Sequence, residues 1–222
     1  MIQKPYSARG KNAPSMRRPR QERSRQRFEA ILDAAAELLE SLEPEDISIY
    51  TLAEQVKMSP PSIYHFFPDA NWVFVALAER IYERFLAGFD EPAPGNIASW
   101  QDLLRVRFEE SRLYYNSNGA ARRLLLGSGL SSAIRVRDLE IDRELSTRAV
   151  DEMEALFILP EIPDLVDRIT EMMVLSDALW SLSVYRTGYI TDEMAEQARR
   201  ARESYARTFF PEYLPLRPVA GQ

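Results

Sequence analysis

Two short helical segments, separated by only a few residues, constrain the fold of this chain more than any other feature. The first begins after Ser48, which stands where an N-cap is expected. The second begins after Ser59 with Pro60 at its first position, and Pro68 ends it near Phe67. Two short helices joined by about three residues are typical of a helix-turn-helix.

The second segment has an apolar side and a polar side. Ile63 and Phe67 lie four residues apart, so both can face the first segment. Their predicted partners there are Leu52, Val56 and the small Ala53. The outward positions are Pro60, Pro61, Ser62, Tyr64 and His65. Because the second helix of this motif lies in the major groove, the outward face is a candidate DNA-binding surface.

Amphipathic patterns flank the motif on both sides. Residues 22–42 carry one apolar stripe at helical spacing, and Pro44 ends that helix. Asp69 can cap a fourth helix that continues to about Phe89, and its aromatic run is better explained as core than as a stacking platform. The first stripe consists of Phe28, Ile31, Leu32, Ala35, Leu38, Leu39 and Leu42.

Charge is unevenly distributed along the chain, whose formal net charge is −6. Residues 1–27 contain nine Lys or Arg residues and one acid, Glu22, which leaves a strongly acidic remainder. Residues 1–20 also have little apolar content, which predicts a disordered basic arm. Such an arm suits contact with a polyanion, and a merely solubilising tail is the alternative.

The rest of the chain predicts further helices and no strands. A linker at 91–96 follows a helix-turn-helix domain at 21–90, and a helical domain occupies 97–210 before a loose tail at 211–222. No alternating strand pattern interrupts it, so the fold class is all-α. The predicted helices of this part are 97–116, 119–127, 131–158, 163–188 and 191–209.

Composition narrows the possible functions. The chain has no cysteine and a single histidine, His65, which argues against a metal site, a cofactor and acid–base catalysis. Gly127-Ser128-Gly129 is half of a nucleophile elbow without a preceding strand, so an enzyme is not expected. No apolar stretch could span a bilayer and no secretory signal is evident, which predicts a cytoplasmic protein without a membrane partner.

At residues 22–90 the chain resembles the TetR family of transcriptional regulators. The resemblance is carried by the short helix ending in an aromatic-proline turn, Ser59 to Asp69, by the amphipathic first helix, and by Ser48 before Leu52-Ala53. It implies a repressor that binds a palindromic DNA operator as a homodimer and is released by a small-molecule effector. The alternative is a small-molecule-binding helical protein of the same fold without DNA-binding activity.

The resemblance also implies roles for individual residues. Ser48 would cap its helix and touch a phosphate, and the Tyr64 hydroxyl would reach the DNA backbone, although Tyr64 could instead cover the core. The positions that would face the groove are Ser59, Pro60, Ser62 and His65, the last of which could also be merely solvated. The residues that would meet phosphate or the minor groove are Arg20, Arg23 and Arg27.

Three features depart from the family pattern. Lys57 stands where a turn glycine is usual, and a left-handed backbone there would cost about 1–2 kcal/mol. Ala70 replaces a usual lysine, so a phosphate contact at the start of the fourth helix is lost or falls to Asn71. Pro60 and Pro61 lack N–H groups, which makes this helix terminus a poor phosphate cradle.

The C-terminal helices are expected to hold the effector and the dimer contact. Aromatic and methionine positions there could line a pocket or belong to the core, and an amphipathic or aromatic ligand would suit them. The candidate pocket residues are Trp100, Phe108, Tyr115, Leu125, Met153, Phe157, Met173 and Trp180. The candidate dimer stripe, which could also be monomer core, is Leu165, Ile169, Met172, Ser176, Leu179 and Ser183.

Overall fold

The computed structural model describes residues 16–127 and 132–218, and its regular elements there are helical. Within those two ranges the α-helices are α1 Glu22–Leu38, α2 Ile49–Val56, α3 Pro60–Tyr64, α4 Ala70–Ala87, α5 Trp100–Ser117, α6 Gly119–Ala121, α7 Ser132–Leu156, α8 Leu165–Thr187 and α9 Asp192–Ala206. One turn of π-helix, Arg122–Leu126, continues α6, and short 3-10 turns occupy Pro44–Asp46 and Gly88–Asp90. The all-α prediction is confirmed.

The first three helices pack around the predicted apolar stripe. Ile63 and Phe67 of the α3 segment are fully buried, as their spacing predicts, and Leu52 of α2 is buried with them. The Phe28 ring of α1 lies 4.8 Å from the Phe67 ring and 6.0 Å from the Phe66 ring. The burial of these large aromatic rings holds the α3 segment in place against α1.

The turn between α2 and α3 contains a residue with left-handed backbone geometry. Lys57 has φ 55° and ψ 43°, and its N–H bonds to the carbonyls that end α2. A left-handed residue at a helix C-terminus is usually glycine because a Cβ clashes there. The lysine is therefore accommodated at the expense of stability, and the neighbouring core holds it in place.

Two hydrophobic clusters divide the molecule differently from the predicted domains. The larger cluster runs without interruption from α1 through α4 into the C-terminal helices, where it includes Tyr115 and Trp180. The smaller cluster lies at the other end of the C-terminal helices, around Trp100, Phe157 and Met172. The helix-turn-helix domain and the C-terminal bundle thus share a core.

The chain ends are better anchored than their composition predicts. Met16 packs on the larger cluster, and the Arg17 N–H donates to the Phe66 carbonyl at 2.9 Å. The predicted loose tail is also tied down, because Ile158 N–H donates to the Pro215 carbonyl at 2.8 Å and Leu214 is buried. The remaining predictions for 1–15, 128–131 and 219–222 fall outside the described residues.

Most of the predicted dimer stripe is monomer core, which corrects that prediction. Ile169 and Met172 are fully buried in the smaller cluster. Ser176 and Ser183 are buried as well, and the Ser183 hydroxyl donates to the Tyr189 carbonyl at 2.9 Å. Leu165 and Leu179 are half-buried against the two clusters. The stripe marks the side of α8 that packs on its own bundle.

No helix within residues 16–127 and 132–218 combines the length and the apolar character that a bilayer span requires.

We expect Lys57→Gly to raise the free energy of unfolding by about 1 kcal/mol, because glycine adopts the left-handed conformation without a Cβ clash. Chemical denaturation checks this value. Lys57→Ala is the matched control, since it removes the charge and keeps the Cβ; an equal gain in both variants would contradict the backbone explanation.

Candidate nucleic-acid interface and ligand cavity

Helix α3 presents its outward face to solvent. Tyr64 is 47% exposed and His65 and Pro61 are exposed too, while Pro60 and Ser62 are half-buried. Tyr64 therefore does not cover the core. Tyr50 at the start of α2 is 68% exposed, and sequence reasoning did not single it out although it follows the predicted cap directly. The structure leaves this end of the helix pair open to a ligand.

Ser59 occupies the N-cap position of α3 without making a side-chain cap. Pro60 and Pro61 have no N–H to satisfy, and the Ser62 N–H bonds to the Ser59 carbonyl at 2.9 Å. The Ser59 hydroxyl instead lies 2.9 Å from the Ser62 hydroxyl. A pair of hydroxyls, rather than a row of amides, is the polar group at this helix start.

Ser48 caps α2 as predicted. Its Oγ accepts from the Thr51 N–H at 3.1 Å, and the two side-chain hydroxyls are 2.9 Å apart. The reciprocal arrangement is a capping box, in which Thr51 replaces the usual longer side chain. Ser48 stays exposed, and its hydroxyl is free to donate a further hydrogen bond when Thr51 is the donor between the two hydroxyls.

The chain entering α1 lies beside α3. Arg17 is joined to Phe66 through the backbone, and Arg18 pairs with Glu79 of α4. The next three predicted contacts, Arg20, Arg23 and Arg27, are all exposed, and among residues 16–127 and 132–218 no carboxylate pairs with them. Arg23 and Arg27 share one face of α1, because they are four residues apart.

Asp69 caps α4 as predicted, with its carboxylate accepting from the Trp72 N–H at 3.2 Å. Asn71, one of the predicted DNA contacts, is exposed in the first turn of this helix. Ala70 beside it is half-buried against the core and offers no polar group. Asn71 is thus the polar side chain available at this helix start.

Comparison with known proteins agrees with these features. No protein-family profile matches the chain. The HTH-type transcriptional regulator EthR of Mycolicibacterium smegmatis is 32% identical over 113 residues, a match that spans 49% of this chain and 51% of that regulator. The match therefore covers about half the length of this curated relative.

Solved structures agree over most of the chain. A TetR-family transcriptional regulator from Streptomyces coelicolor superposes with a TM-score of 0.67 at 19% identity, covering 85% of this chain and 99% of that one. A TetR transcriptional regulator from Rhodococcus sp. RHA1 gives a TM-score of 0.63 at 18% identity, covering 83% and 97%.

This chain has the TetR fold. The resemblance found in residues 22–90 is confirmed at the level of architecture, and it extends into the C-terminal helices, where the sequence alone offered only length and helical content. The similarity to EthR covers about half of this chain, whereas the similarity of fold covers most of it.

A cavity of about 380 Å³, open to solvent on one side, lies between α4, α5, α7 and α8. Aromatic rings form much of its wall: Phe85 lies 4.9 Å from Tyr114 and 5.3 Å from Tyr115, and Trp180 lies 5.9 Å from Tyr115. A cavity of this size suits a small organic ligand.

Four of the eight predicted pocket residues line this cavity, namely Phe108, Tyr115, Met173 and Trp180. The other four do not, which corrects that part of the prediction. Trp100, Met153 and Phe157 are buried in the smaller cluster. Leu125 is buried in the larger one. Helical spacing predicts that a side chain is buried. It does not distinguish a side chain packed in the core from one that lines a cavity.

Three aspartates at the buried end of the cavity were missed. Asp138 accepts from the Tyr82 hydroxyl and from Arg135, both at 2.9 Å. Asp142 and Asp177 line the same wall from α7 and α8. The 138/142 spacing on one predicted helix was the available signal, since acids four apart share a helix face.

Burial changes the titration of these groups. It raises the pKa of Asp142 to about 7, with a further contribution from the charge of Asp138. Burial also raises the pKa of Asp177, and Asp142 and Asp138 add to that effect. Burial is likewise the main cause that raises the pKa of Tyr82. The cavity therefore holds carboxyl groups whose negative charge is poorly compensated.

We expect Asp142→Asn to stabilise the fold at about pH 8 by roughly 1–4 kcal/mol. The unfolded chain ionises this carboxyl near its usual pKa of about 4, whereas the folded chain ionises it at about 7, so folding stability falls between these values as pH rises. Denaturation at about pH 5 and pH 8 measures the effect.

The stabilisation should shrink toward the lower pH, where Asp142 is protonated. Asp151→Asn, at an exposed position of the same helix, is the matched control. A gain of the same size at both pH values would contradict the titration explanation.

Proposed function

We propose that this protein is a TetR-family transcriptional regulator that binds double-stranded DNA as a homodimer and is controlled by a small-molecule effector. The observation that supports DNA binding best is the pairing pattern of the arginines. Arg20, Arg23 and Arg27 lie exposed without a carboxylate partner among the described residues, just before α1 and in its first turns. This part of the chain adjoins the α3 segment, since the Phe28 ring of α1 packs on the Phe66 and Phe67 rings that follow α3. Arginines elsewhere are commonly paired, as Arg112 is with Glu109 and Asp192.

DNA contact divides between two kinds of group in this proposal. Arg20, Arg23 and Arg27 neutralise phosphates, and the Ser48 hydroxyl adds a phosphate contact at the start of α2. Side chains of α3 enter the major groove. The α3 contacts are Ser59, Pro60, Ser62, Tyr64 and His65, with Asn71 at the start of α4. Since the helix start lacks amide donors, the serine hydroxyls take their place.

The outward side of α8 supplies the proposed dimer contact in place of the predicted stripe. Leu175, Ala178, Leu182 and Tyr185 are exposed at spacings of three and four, which forms one apolar stripe on the helix. A second copy is the occupant proposed for it, because two recognition helices in a closed pair can meet a palindromic site.

Helix α4 is the proposed route from effector to DNA. Its Arg80 bonds to Asp33 of α1 at 2.7 Å, and its Tyr82 bonds to Asp138 at the cavity wall. A second link joins the domains, since the Glu40 carboxylate accepts from the Gly119 N–H at 2.8 Å. A ligand that binds one arrangement of these contacts better than another shifts the separation of the two α3 helices.

The second candidate is a ligand-binding protein of this fold that does not bind DNA. Pro60 and Pro61, which remove two amide donors from the start of α3, and the apolar Ala70 favour it. The repressor proposal accounts for the unpaired arginines beside α3, whereas this alternative leaves them without a role.

Selection of bound duplexes from a random pool tests DNA binding directly. We expect enrichment of a palindrome, and we expect Arg23→Ala/Arg27→Ala to lower the salt dependence of log affinity by about 1–2 units without changing the recovered sequence. Arg137→Ala, on the exposed surface of α7, is the control. A folded dimer that enriches no sequence would overturn the regulator proposal in favour of the second candidate.

The dimer contact has its own test. Leu182→Glu should convert the dimer to monomer in sedimentation experiments, because it places a charge in the apolar stripe, and monomers should lose most affinity for a palindromic site. Leu113→Glu is the matched control, since Leu113 is exposed on α5 away from that stripe. If the Leu182→Glu protein stays dimeric, the dimer contact does not lie on this stripe.

A further inference from the structure

The lining of the cavity has a one-sided charge. Five acids face it, namely Glu91, Glu110, Asp138, Asp142 and Asp177, against two arginines, Arg84 and Arg107. Arg107 is already occupied by Glu152 and Glu110 and by the carbonyls of Gly88 and Glu91. Acidic side chains thus outnumber basic ones in the lining, and three of them are the aspartates of α7 and α8.

Two polar atoms of the lining lack hydrogen-bond partners. Asp142 is 6% exposed and its Oδ2 is an unpaired acceptor, and the indole N–H of the almost fully buried Trp180 is an unpaired donor. Both residues line the cavity. An unsatisfied buried carboxylate oxygen costs free energy that a bound donor would recover. A ligand N–H that reaches Asp142 would supply the missing donor.

A metal ion does not suit this site. Within residues 16–127 and 132–218 no three acidic or histidine side chains converge closely enough to hold one. The aspartates instead lie beside aromatic rings, of which Tyr114, Tyr115 and Trp180 line the cavity wall. Aromatic faces and a carboxylate together are the environment that binds an organic cation.

The nearby positive charges leave room for such a ligand. Arg135 pairs with Asp138 at 2.9 Å, and Asp142 receives no comparable partner. Arg202 stacks on Phe108, with its guanidinium carbon 3.6 Å from the ring centroid, so one face of Phe108 is already occupied. Burial lowers the pKa of Arg202 to about 10, and the group is still charged at neutral pH. The wall around Asp142 remains the unneutralised part.

We propose that this cavity binds an aromatic organic ammonium ion, with its N–H group donating to Asp142 and its rings against Tyr115 and Trp180. The inference rests on the proposed function in one respect, since it takes this cavity as the effector site. It names the chemical class of the effector, which a cavity of about 380 Å³ restricts to a small molecule.

Three naphthalene compounds of similar size and different charge provide the test. 2-(1-naphthyl)ethylamine is a cation, 2-(1-naphthyl)ethanol is neutral, and 1-naphthylacetate is an anion. Calorimetry on the full chain without DNA, near pH 8, should show the amine binding roughly tenfold or more tighter than the alcohol, with the acetate weakest. Equal binding of amine and alcohol, or tighter binding of the acetate, would overturn the proposal.

Variants locate the binding. Asp142→Asn should weaken the amine roughly ten- to hundredfold and leave the alcohol almost unchanged, and Asp151→Asn on the same helix should change neither. Asp142→Asn is expected to fold, since it relieves a buried charge. If Asp142→Asn leaves amine affinity intact, the cation binds elsewhere and the site is refuted.

Addition of the amine to a protein–DNA complex separates this inference from the proposed function. Binding to the protein alone, with no DNA binding at all, would support the ammonium site and refute the regulator. DNA binding without any preference for the cation would support the regulator and refute the ammonium site. Amine-dependent release of DNA, absent in Asp142→Asn, would support both.

Discussion

Burial of helix α4 from two sides is the constraint on which the rest of the structure depends. Eight of its residues are buried, including the unbroken run from Val73 to Ala78. A helix that is apolar nearly all round must be surrounded, and α4 satisfies this by packing on α1 at its start and against the C-terminal helices at its end. The two functional regions therefore cannot move independently, because the same rigid segment belongs to the core of both.

Charge is sorted along this shared core. Exposed arginines without a carboxylate partner among the described residues lie just before α1 and in its first turns, while Asp142 of the cavity also lacks a charged partner. Uncompensated charge destabilises a native protein, more so when it is buried. Two such regions of opposite sign, joined by α4, are what a molecule that binds an anion at one end and a cation at the other would require.

Local features were predictable and long-range ones were not. The caps at Ser48 and Asp69 and the burial of Ile63 follow from neighbours within a few residues, so the sequence predicts them well. Periodicity also identified the buried side of α8, but it cannot say whether that side meets its own bundle or a partner. The same ambiguity placed Trp100 and Phe157 in the pocket. Asp142 was missed because the burial that raises its pKa arises only when other helices pack around α7 in the folded chain.

The proline pair at the start of α3 has a consequence for specificity. Pro60 and Pro61 fix φ before any duplex arrives, so a helix of only five residues loses little further entropy on docking. The same rings replace donors with hydrocarbon, and Pro61 is exposed. In the major groove the hydrocarbon counterpart is the methyl group of thymine. In the proposed complex, Pro61 would therefore distinguish thymine from cytosine through shape and apolar contact rather than through hydrogen bonding.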